Sequence, residues 1–177
     1  MKKYTYVALL IFIIGGAFQV SSQIVTGWQW AKSSGGVGRD EAELPAVDPS
    51  GNVIVCGKFS DTAWFGTSYL VSSGLLDMYL AKYNIMGNLQ WAVKGGSAGN
   101  AEALSIAADK MGNVAVTGYF KGVLNFNTIQ LTGSATKENF FVAKFDSLGN
   151  LLWAKHAIGG NIRGKGVEFD PAGDVLV

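Results

Sequence analysis

The chain is short of the residues that build metal centres and catalytic triads. Cys56 is the only cysteine and His156 the only histidine among 177 residues. One cysteine cannot form an intrachain disulfide, and these two residues cannot supply the four ligands of a zinc site. Cys56 lies between apolar neighbours and is predicted to be a buried, unreactive thiol. A Ser-His-Asp site would have to use His156, which we interpret as a surface or edge residue of a strand.

Charge of either sign is also scarce. Lysine and arginine together number 14, and aspartate and glutamate 13, so the net charge is +1 at pH 7. A nucleic-acid backbone is bound through a stripe of lysine and arginine, whereas the basic residues here are scattered. The composition therefore argues against a nucleic-acid partner.

Long apolar runs are absent except near the N-terminus. Lys2 and Lys3 precede an apolar run over residues 7–18, and Val-Ser-Ser follows at residues 20–22. A run of about 12 residues is shorter than the roughly 20 of a membrane-spanning helix but suits a secretory signal peptide. We predict a signal peptide over residues 1–22, a mature chain over residues 23–177 and no stable membrane span after cleavage. The protein is predicted to be secreted or held at the cell surface.

Internal repetition is what the chain has in abundance. Trp30, Trp91 and Trp153 are separated by 61 and 62 residues. A block that reads DPSGNVIV from residue 48 returns as DKMGNVAV from residue 109 and as DPAGDVLV from residue 170. Such a period predicts one supersecondary unit per repeat, with each unit packed against its neighbours.

Within one period, four short runs are rich in Val, Ile, Phe, Tyr and Thr and are bounded by Gly, Asn or Asp, which is typical of β-strands. In the second repeat they cover residues 103–108, 113–120, 140–145 and 151–156. The sequence Asp-x-x-Gly-Asn links the first run to the second and the third run to the fourth. Both links are predicted to be tight hairpin turns, with Gly112 and Gly149 at a positive φ. No helical periodicity is found after the signal peptide.

Four antiparallel strands in a repeat of about 61 residues predict an all-β fold, a β-propeller of four-stranded blades. We expect an outer strand at residues 27–33, a first blade at about 42–95, a second at about 101–157 and part of a third at about 164–177. A closed ring needs at least about four blades, so we expect a truncated piece of a longer propeller with two full blades. The alternative, a β-solenoid, would need shorter rungs and no hairpin turns.

The repeated motif resembles the SBBP family of bacterial β-propeller repeats. The shared pattern is Asp-x-x-Gly-Asn-Val-x-Val-x-Gly-x-Phe, then Phe-Gly-Thr at residues 65–67, then Asp-x-Tyr/Phe-x-Ala-Lys-Tyr/Phe and a Gly-Asn-Leu-x-Trp-Ala segment. The resemblance covers about residues 27–177. It implies an exported or cell-surface bacterial protein and transfers no catalytic residues. The third copy departs from the pattern, since Arg163 replaces the Glu41 and Glu102 of the earlier copies.

Ligand binding is the function class that these observations leave. The long connections at residues 33–42, 60–74, 95–101 and 121–137 are predicted to share one face, and function on repeat scaffolds concentrates in such loops. Trp64 stands out there because its counterpart in the next repeat is Asn125. A tryptophan that the repeat does not require is a candidate platform for a glycan or a protein partner, with local loop packing as the other interpretation. The candidate binding residues are Trp64, Tyr69, Arg39, Glu41 and Glu102.

We interpret the chain as a secreted, non-enzymatic β-propeller module with a binding or scaffold role and no cofactor. Two alternatives remain open: a quinone- or sugar-dependent propeller enzyme whose active site lies in further blades, and a purely structural spacer. Calcium is the ion that would suit the turns opened by Asp48, Asp109 and Asp170. Each turn offers only one carboxylate, however, so turn capping is the better interpretation and no metal ligand is assigned.

Overall fold

A computed structural model describes residues 29–177. The signal peptide predicted at residues 1–22 lies outside the described residues, as do residues 27 and 28 of the predicted outer strand. The described residues contain only strands, turns and irregular connections, which confirms the all-β class. None of them belongs to a helix long and apolar enough to cross a membrane. The strands are β1 (Glu41–Val47), β2 (Val53–Phe59), β3 (Thr62–Phe65), β4 (Ser68–Val71), β5 (Asp77–Tyr83), β6 (Leu89–Ser97), β7 (Ala101–Ala108), β8 (Val114–Phe120), β9 (Val123–Asn125), β10 (Gln130–Thr132), β11 (Asn139–Phe145), β12 (Leu151–Ala157), β13 (Glu168–Phe169) and β14 (Val175–Leu176).

Two antiparallel four-stranded units follow each other along the chain. The first has the strand order β1-β2-β5-β6 and the second β7-β8-β11-β12. The four runs predicted in the second repeat agree with the observed strands to within two residues. β13 and β14 form a short hairpin at the position where a third unit would begin. The strands of residues 29–177 do not close into a ring, so the number of blades stays a prediction.

Side-chain alternation lets each sheet bury both of its faces. Ile54 and Cys56 on β2 pack with Val114 and Val116 on β8 in the larger hydrophobic cluster, which therefore lies between the two units. The opposite face of the first unit carries a second cluster that contains Tyr79. Apolar side chains from two facing sheets interdigitate in this way when the sheets pack face to face.

Each tight turn is closed by an aspartate or asparagine side chain. Asp109 Oδ1 accepts hydrogen bonds from the backbone N–H groups of Met111 and Asn113 at 2.8 and 2.9 Å. Gly112 and Gly149 have φ values of 78° and 86°, which confirms the prediction made for both. Because the side chain bonds its own next few residues, the sequence alone identifies this turn. The same bonds close the turns that open at Asp48, Asn84, Asp146 and Asp170.

The connections expected to be long loops at residues 60–74 and 121–137 each contain a further β-hairpin, which corrects that expectation. β3 pairs with β4, and β9 with β10. Strands of three or four residues carry too little alternation to be recognised in a sequence. β9 also pairs with β6 of the first unit, through Gly96 and Asn125. The inserted hairpin thus fastens its own unit to the preceding one.

A tryptophan also docks on a turn of the following unit. The Trp91 indole N–H donates to the carbonyl oxygen of Ser147 at 3.1 Å, and the Trp30 indole donates to that of Ile85, also at 3.1 Å. Ser147 and Ile85 hold the same position in their turns. Residues 29–33 of the outer strand predicted at residues 27–33 pair with no strand among residues 29–177, and the first bridge is at Gly35, so the outer strand stays a prediction.

Gly149→Ala is expected to destabilise the protein more than Gly122→Ala. Both glycines have a positive φ, 86° and 76°, at which a Cβ costs about 1 kcal/mol. A Cβ at Gly149 would also lie 2.9 Å from the Trp91 ring, whereas at Gly122 it would meet no atom within 4 Å. We expect losses of about 2 kcal/mol or more and about 1 kcal/mol in the free energy of unfolding, measured in urea. Equal losses would contradict the docking of Trp91 on this turn.

Candidate binding surface

Trp64 and Tyr69 form an exposed aromatic pair on the β3–β4 hairpin. They are partners across the hairpin, and their ring centroids lie 4.9 Å apart at an interplanar angle of 47°. The two residues are 48% and 58% exposed. Trp64 also exchanges backbone hydrogen bonds of 3.0 Å in both directions with Gly35. The rings therefore project from a backbone that is held on both edges.

The second hairpin shows that the fold does not need aromatic residues at these two positions. Asn125 and Gln130, which lie 61 residues after Trp64 and Tyr69, pair in the same register and are exposed. A polar pair therefore satisfies the hairpin. Exposed aromatic area at a position where polar side chains suffice favours contact with a ligand.

Two open clefts border the aromatic pair. The first, of about 600 Å³, is lined by Trp64 and Asp40 together with the glycine-rich segment at residues 33–38. The second, of about 660 Å³, is lined by Tyr69 and its hairpin and by residues 87–92. The clefts share Ser33 in their linings, so they meet beside the aromatic pair. Volumes of this size are typical of ligand sites.

Asp40 is the carboxylate of the first cleft. Its Oδ2 accepts a hydrogen bond of 2.7 Å from the backbone N–H of Gly36. Its Oδ1 is shielded from solvent and accepts no hydrogen bond from residues 29–177. Leaving a buried acceptor unpaired costs free energy that a donor would recover. The residue 61 positions later is Ala101, so the repeat does not require this carboxylate.

The other three candidate residues, Arg39, Glu41 and Glu102, come together around Lys58. Lys58 Nζ lies 2.6 Å from Glu41 and 2.5 Å from Glu102, and Arg39 binds Glu41 at 2.7 Å. These four residues are called the charged group below. Lys58 was not singled out from the sequence, although Tyr119 replaces it in the second repeat and so marks it as a difference between repeats.

The five candidate residues fall into two groups, and their sharing of one face stays a prediction. Among residues 29–177, no hydrogen bond or ion pair joins the charged group to Trp64 or Tyr69. The aromatic pair lies on an inserted hairpin, whereas the charged group gathers at the start of β1, the end of β2 and the start of β7. The structure therefore separates an exposed pair from a largely paired ionic cluster.

Within the charged group, Lys58 and its neighbours keep the two glutamates ionised. Hydrogen bonds from Lys58 and Arg39 lower the pKa of Glu41. Burial opposes ionisation of Glu102, but hydrogen bonds from Lys58 and from the Tyr119 hydroxyl outweigh it and lower the pKa of Glu102. Burial, together with Glu102, raises the pKa of Tyr119 to about 12. The group thus links the first unit to the second by a neutralised ionic contact.

Arg163, which takes the glutamate position in the third copy, makes the corresponding contacts with the second unit. Its guanidinium lies 4.5 Å from the centroid of the Tyr119 ring, and it binds Glu138 at 2.5 Å. A guanidinium over an aromatic face is attracted by the ring quadrupole. The departure from the repeat pattern is therefore matched by the change from Lys58 to Tyr119 in the neighbouring unit.

The carboxylates that could suggest a metal site are already paired. Oxygens of Glu41, Glu43 and Glu102 lie within 4.8 Å of one another, but the Lys58 ammonium lies among them, 4.0 Å from the Glu43 carboxylate. This ammonium supplies the positive charge that a metal ion would otherwise bring. The cluster is therefore an ion-pair network rather than a set of free ligands.

The turn aspartates are occupied in the same way. Asp48 Oδ1 accepts hydrogen bonds from the backbone N–H groups of Ser50 and Asn52. Its Oδ2 accepts one from the Asn52 side chain at 2.7 Å and lies 2.8 Å from Lys82 Nζ. These contacts confirm turn capping as the role of this residue.

The nucleophiles of the described chain are buried or poorly placed. Residues 95–99 match the Gly-x-Ser-x-Gly spacing of hydrolases. Ser97, however, is 1% exposed, donates to the carbonyl of Lys121 and is followed by a strand rather than a helix. Cys56 is fully buried, which confirms that part of the prediction, and burial raises the pKa of its thiol to about 11. His156 is exposed on β12, as predicted for an edge residue.

Comparison with known proteins points to a repeat architecture. No family model matches the chain, and the resemblance to SBBP repeats stays a prediction. The chain is 31% identical, over 125 residues, to an uncharacterised WD repeat-containing protein of Acanthamoeba polyphaga mimivirus. The match covers 62% of this chain but only 9% of the viral protein. WD repeats form propeller blades of four strands, so this likeness and the two four-stranded units together support a β-propeller-like repeat protein.

Replacing Lys58 by methionine is expected to destabilise the protein at pH 7. The change keeps much of the apolar stem but leaves the buried Glu102 carboxylate without its cation. Removal of one partner from a buried pair costs about 3 kcal/mol or more. Lys155→Met is the matched control, because Lys155 is exposed on β12 and should lose less than about 0.5 kcal/mol. Urea denaturation of both variants would measure the difference, and equal stability would contradict the role of Lys58.

The loss of stability caused by Lys58→Met is expected to depend on pH. Glu41 and Glu102 have a lowered pKa in the folded protein, so their contribution to stability is present above the ordinary value of 4.5 and is lost as the pH falls through the folded value. Burial, with a hydrogen bond to Glu102, raises the pKa of Glu43, which offsets part of this effect. The penalty of Lys58→Met should therefore shrink below about pH 4.5. A penalty that grows on acidification would contradict this assignment.

Proposed function

We propose that the protein is an exported, non-enzymatic β-propeller module that binds a ligand through the Trp64–Tyr69 pair. The observation that carries the proposal is the replacement of a polar pair by an aromatic pair at the same exposed positions of two otherwise similar hairpins. Buried packing does not explain two rings that are about half exposed. Aromatic side chains offer large contact area at a low entropic cost, which suits them to recognition.

A propeller arrangement is supported by the way in which the units pack. β7, the first strand of the second unit, packs against β1 and β2, and β13 packs against β7. The first strands of successive units thus lie side by side, whereas β6 and β12 lie at the opposite edges of their sheets. Sheets that converge along one edge radiate from a common axis, which is the geometry of propeller blades.

Export is the second part of the proposal and follows from the signal peptide predicted at residues 1–22. We expect that a bacterial host expressing the full chain will release or display a product that begins at Gln23. N-terminal sequencing of the exported product is the measurement. A cytosolic product that retains Met1 would contradict export, and it would leave the binding proposal to its own experiment.

The binding proposal is tested by giving the first hairpin the residues of the second. The double variant Trp64→Asn/Tyr69→Gln should fold normally, because Asn125 and Gln130 occupy these positions in the other unit. Its melting temperature is expected within about 2 °C of the parent, while affinity falls by about 1–2 kcal/mol, five- to thirtyfold. The readout is binding of the labelled chain to printed arrays of glycans and of cell-surface proteins.

Leu152→Asn is the matched control for this experiment. Leu152 is 51% exposed on β12, so the substitution removes a similar type of surface away from the aromatic pair. The control should bind like the parent. If the double variant binds every array feature as tightly as the parent does, the chain is a structural spacer in this region and the proposal is wrong.

A further inference from the structure

The aromatic pair does not stand alone, because a third residue that the repeat does not require lies beside it. Asp40 borders the same cleft as Trp64, and the equivalent residue of the second unit is Ala101. Asp40, Trp64 and Tyr69 are thus replaced one repeat later by Ala101, Asn125 and Gln130. Three such differences around two adjoining clefts indicate a site specific to the first unit.

The polar lining of the cleft calls for a ligand that donates hydrogen bonds. The Asp40 carboxylate lines this cleft, and its Oδ2, which accepts one hydrogen bond from Gly36, has a further lone pair for a ligand donor. Ser33 and Ser34 add two hydroxyl groups to the same lining. A hydroxyl that donates to a carboxylate makes a charge-assisted bond, which is stronger than a bond between neutral groups.

The shape of the site favours an elongated ligand. The cleft of about 600 Å³ beside Trp64 and the cleft of about 660 Å³ beside Tyr69 share Ser33 and Gly66, so they adjoin each other at the hairpin and are together called the groove below. The groove is open, with one ring available to each of its two halves. Lys32 lines the second half and Asp40 the first, so no excess of one charge selects for a polyanion or a polycation.

We propose that this groove binds a neutral oligosaccharide chain. This inference rests on the proposed function and names its ligand class. The apolar C–H faces of successive sugar rings lie on Trp64 and Tyr69, and sugar hydroxyls donate to the Asp40 carboxylate at the wall of the cleft. Apolar faces combined with outward hydroxyl donors are the chemistry that aromatic rings and a carboxylate recognise together. A protein segment would satisfy the rings equally well but brings no comparable row of hydroxyl donors to the carboxylate.

The test is a titration of the full chain with defined hexasaccharides by isothermal calorimetry. Cellohexaose, mannohexaose and chitohexaose are the neutral probes, and a heparin hexasaccharide is the anionic probe. We expect at least one neutral probe to bind with a Kd below about 1 mM, and more tightly than the anionic probe. Trp64→Asn/Tyr69→Gln should weaken this binding at least tenfold.

Asp40 is tested by two substitutions of different severity. Asp40→Ala introduces the residue of the second unit and should weaken binding of the neutral probe at least fivefold, whereas Asp40→Asn retains an acceptor oxygen and should weaken it less. Thermal melting accompanies each titration, so that a folding defect is recognised. Equal affinity of Asp40→Ala and the parent would overturn the assignment of the carboxylate to the ligand.

The remaining outcomes separate this inference from the function on which it rests. If none of the three neutral probes binds, but the double aromatic variant loses binding to a protein on the arrays, the binding module stands and the oligosaccharide inference is wrong. Tighter binding of the heparin probe would also overturn it. If a neutral probe binds the parent and the double aromatic variant equally, both the proposed function and this inference are wrong.

Discussion

The structure depends on a five-residue turn in which one side chain replaces the hydrogen bonds that the backbone cannot make for itself. In the turn that opens at Asp146, Oδ1 accepts two backbone N–H groups, and Gly149 takes the positive φ that closes the loop. The Ser147 carbonyl is then left pointing outward. It accepts both the Trp91 indole and the Lys82 ammonium of the preceding unit. A local turn therefore becomes the point at which neighbouring units join.

Lys82 shows how closely stability within a unit is tied to stability between units. Its ammonium lies 2.8 Å from the Asp48 carboxylate of its own unit and reaches the Ser147 carbonyl of the next at 3.2 Å. Lys144 repeats the arrangement with Asp109 and the Gly173 carbonyl. A buried cation is tolerated because a carboxylate balances its charge and a fixed carbonyl accepts a hydrogen bond from it. Successive units are thereby held in one relative position, as a stacked repeat requires.

Because the turns and the core carry stability, the inserted hairpins are free to differ. Leu124 on β9 packs into the core, whereas Asn125 and Gln130 are exposed, and the Asn125 side chain accepts a hydrogen bond only from Asn127 of its own hairpin. Replacing such a pair by Trp64 and Tyr69 changes the surface and leaves the core unaltered. The charged group differs from this pair, because Lys58 is buried and its removal would leave the buried Glu102 carboxylate without a cation. The residues proposed to bind a ligand are thus different from those that stabilise the same unit.

The sequence by itself determined the period, the eight strands of the two units and the tight turns, because each of these rests on residues within a few positions of one another. Gly112 and Gly149 are examples, since the turn chemistry is complete within five residues. Comparison of the repeats marked Trp64 as a difference but left ligand contact and loop packing both open, and the structure shows that the residue is about half exposed. Only the tertiary structure decided that Arg39, Glu41 and Glu102 meet around Lys58, that residues 60–74 form a hairpin and that Asp40 lies beside Trp64. The contacts of the charged group and of Asp40 join separate segments of the chain, and their geometry is set by how sheets pack, which no local pattern encodes. The hairpin is local, but its strands of four residues carry too little alternation to be recognised in the sequence.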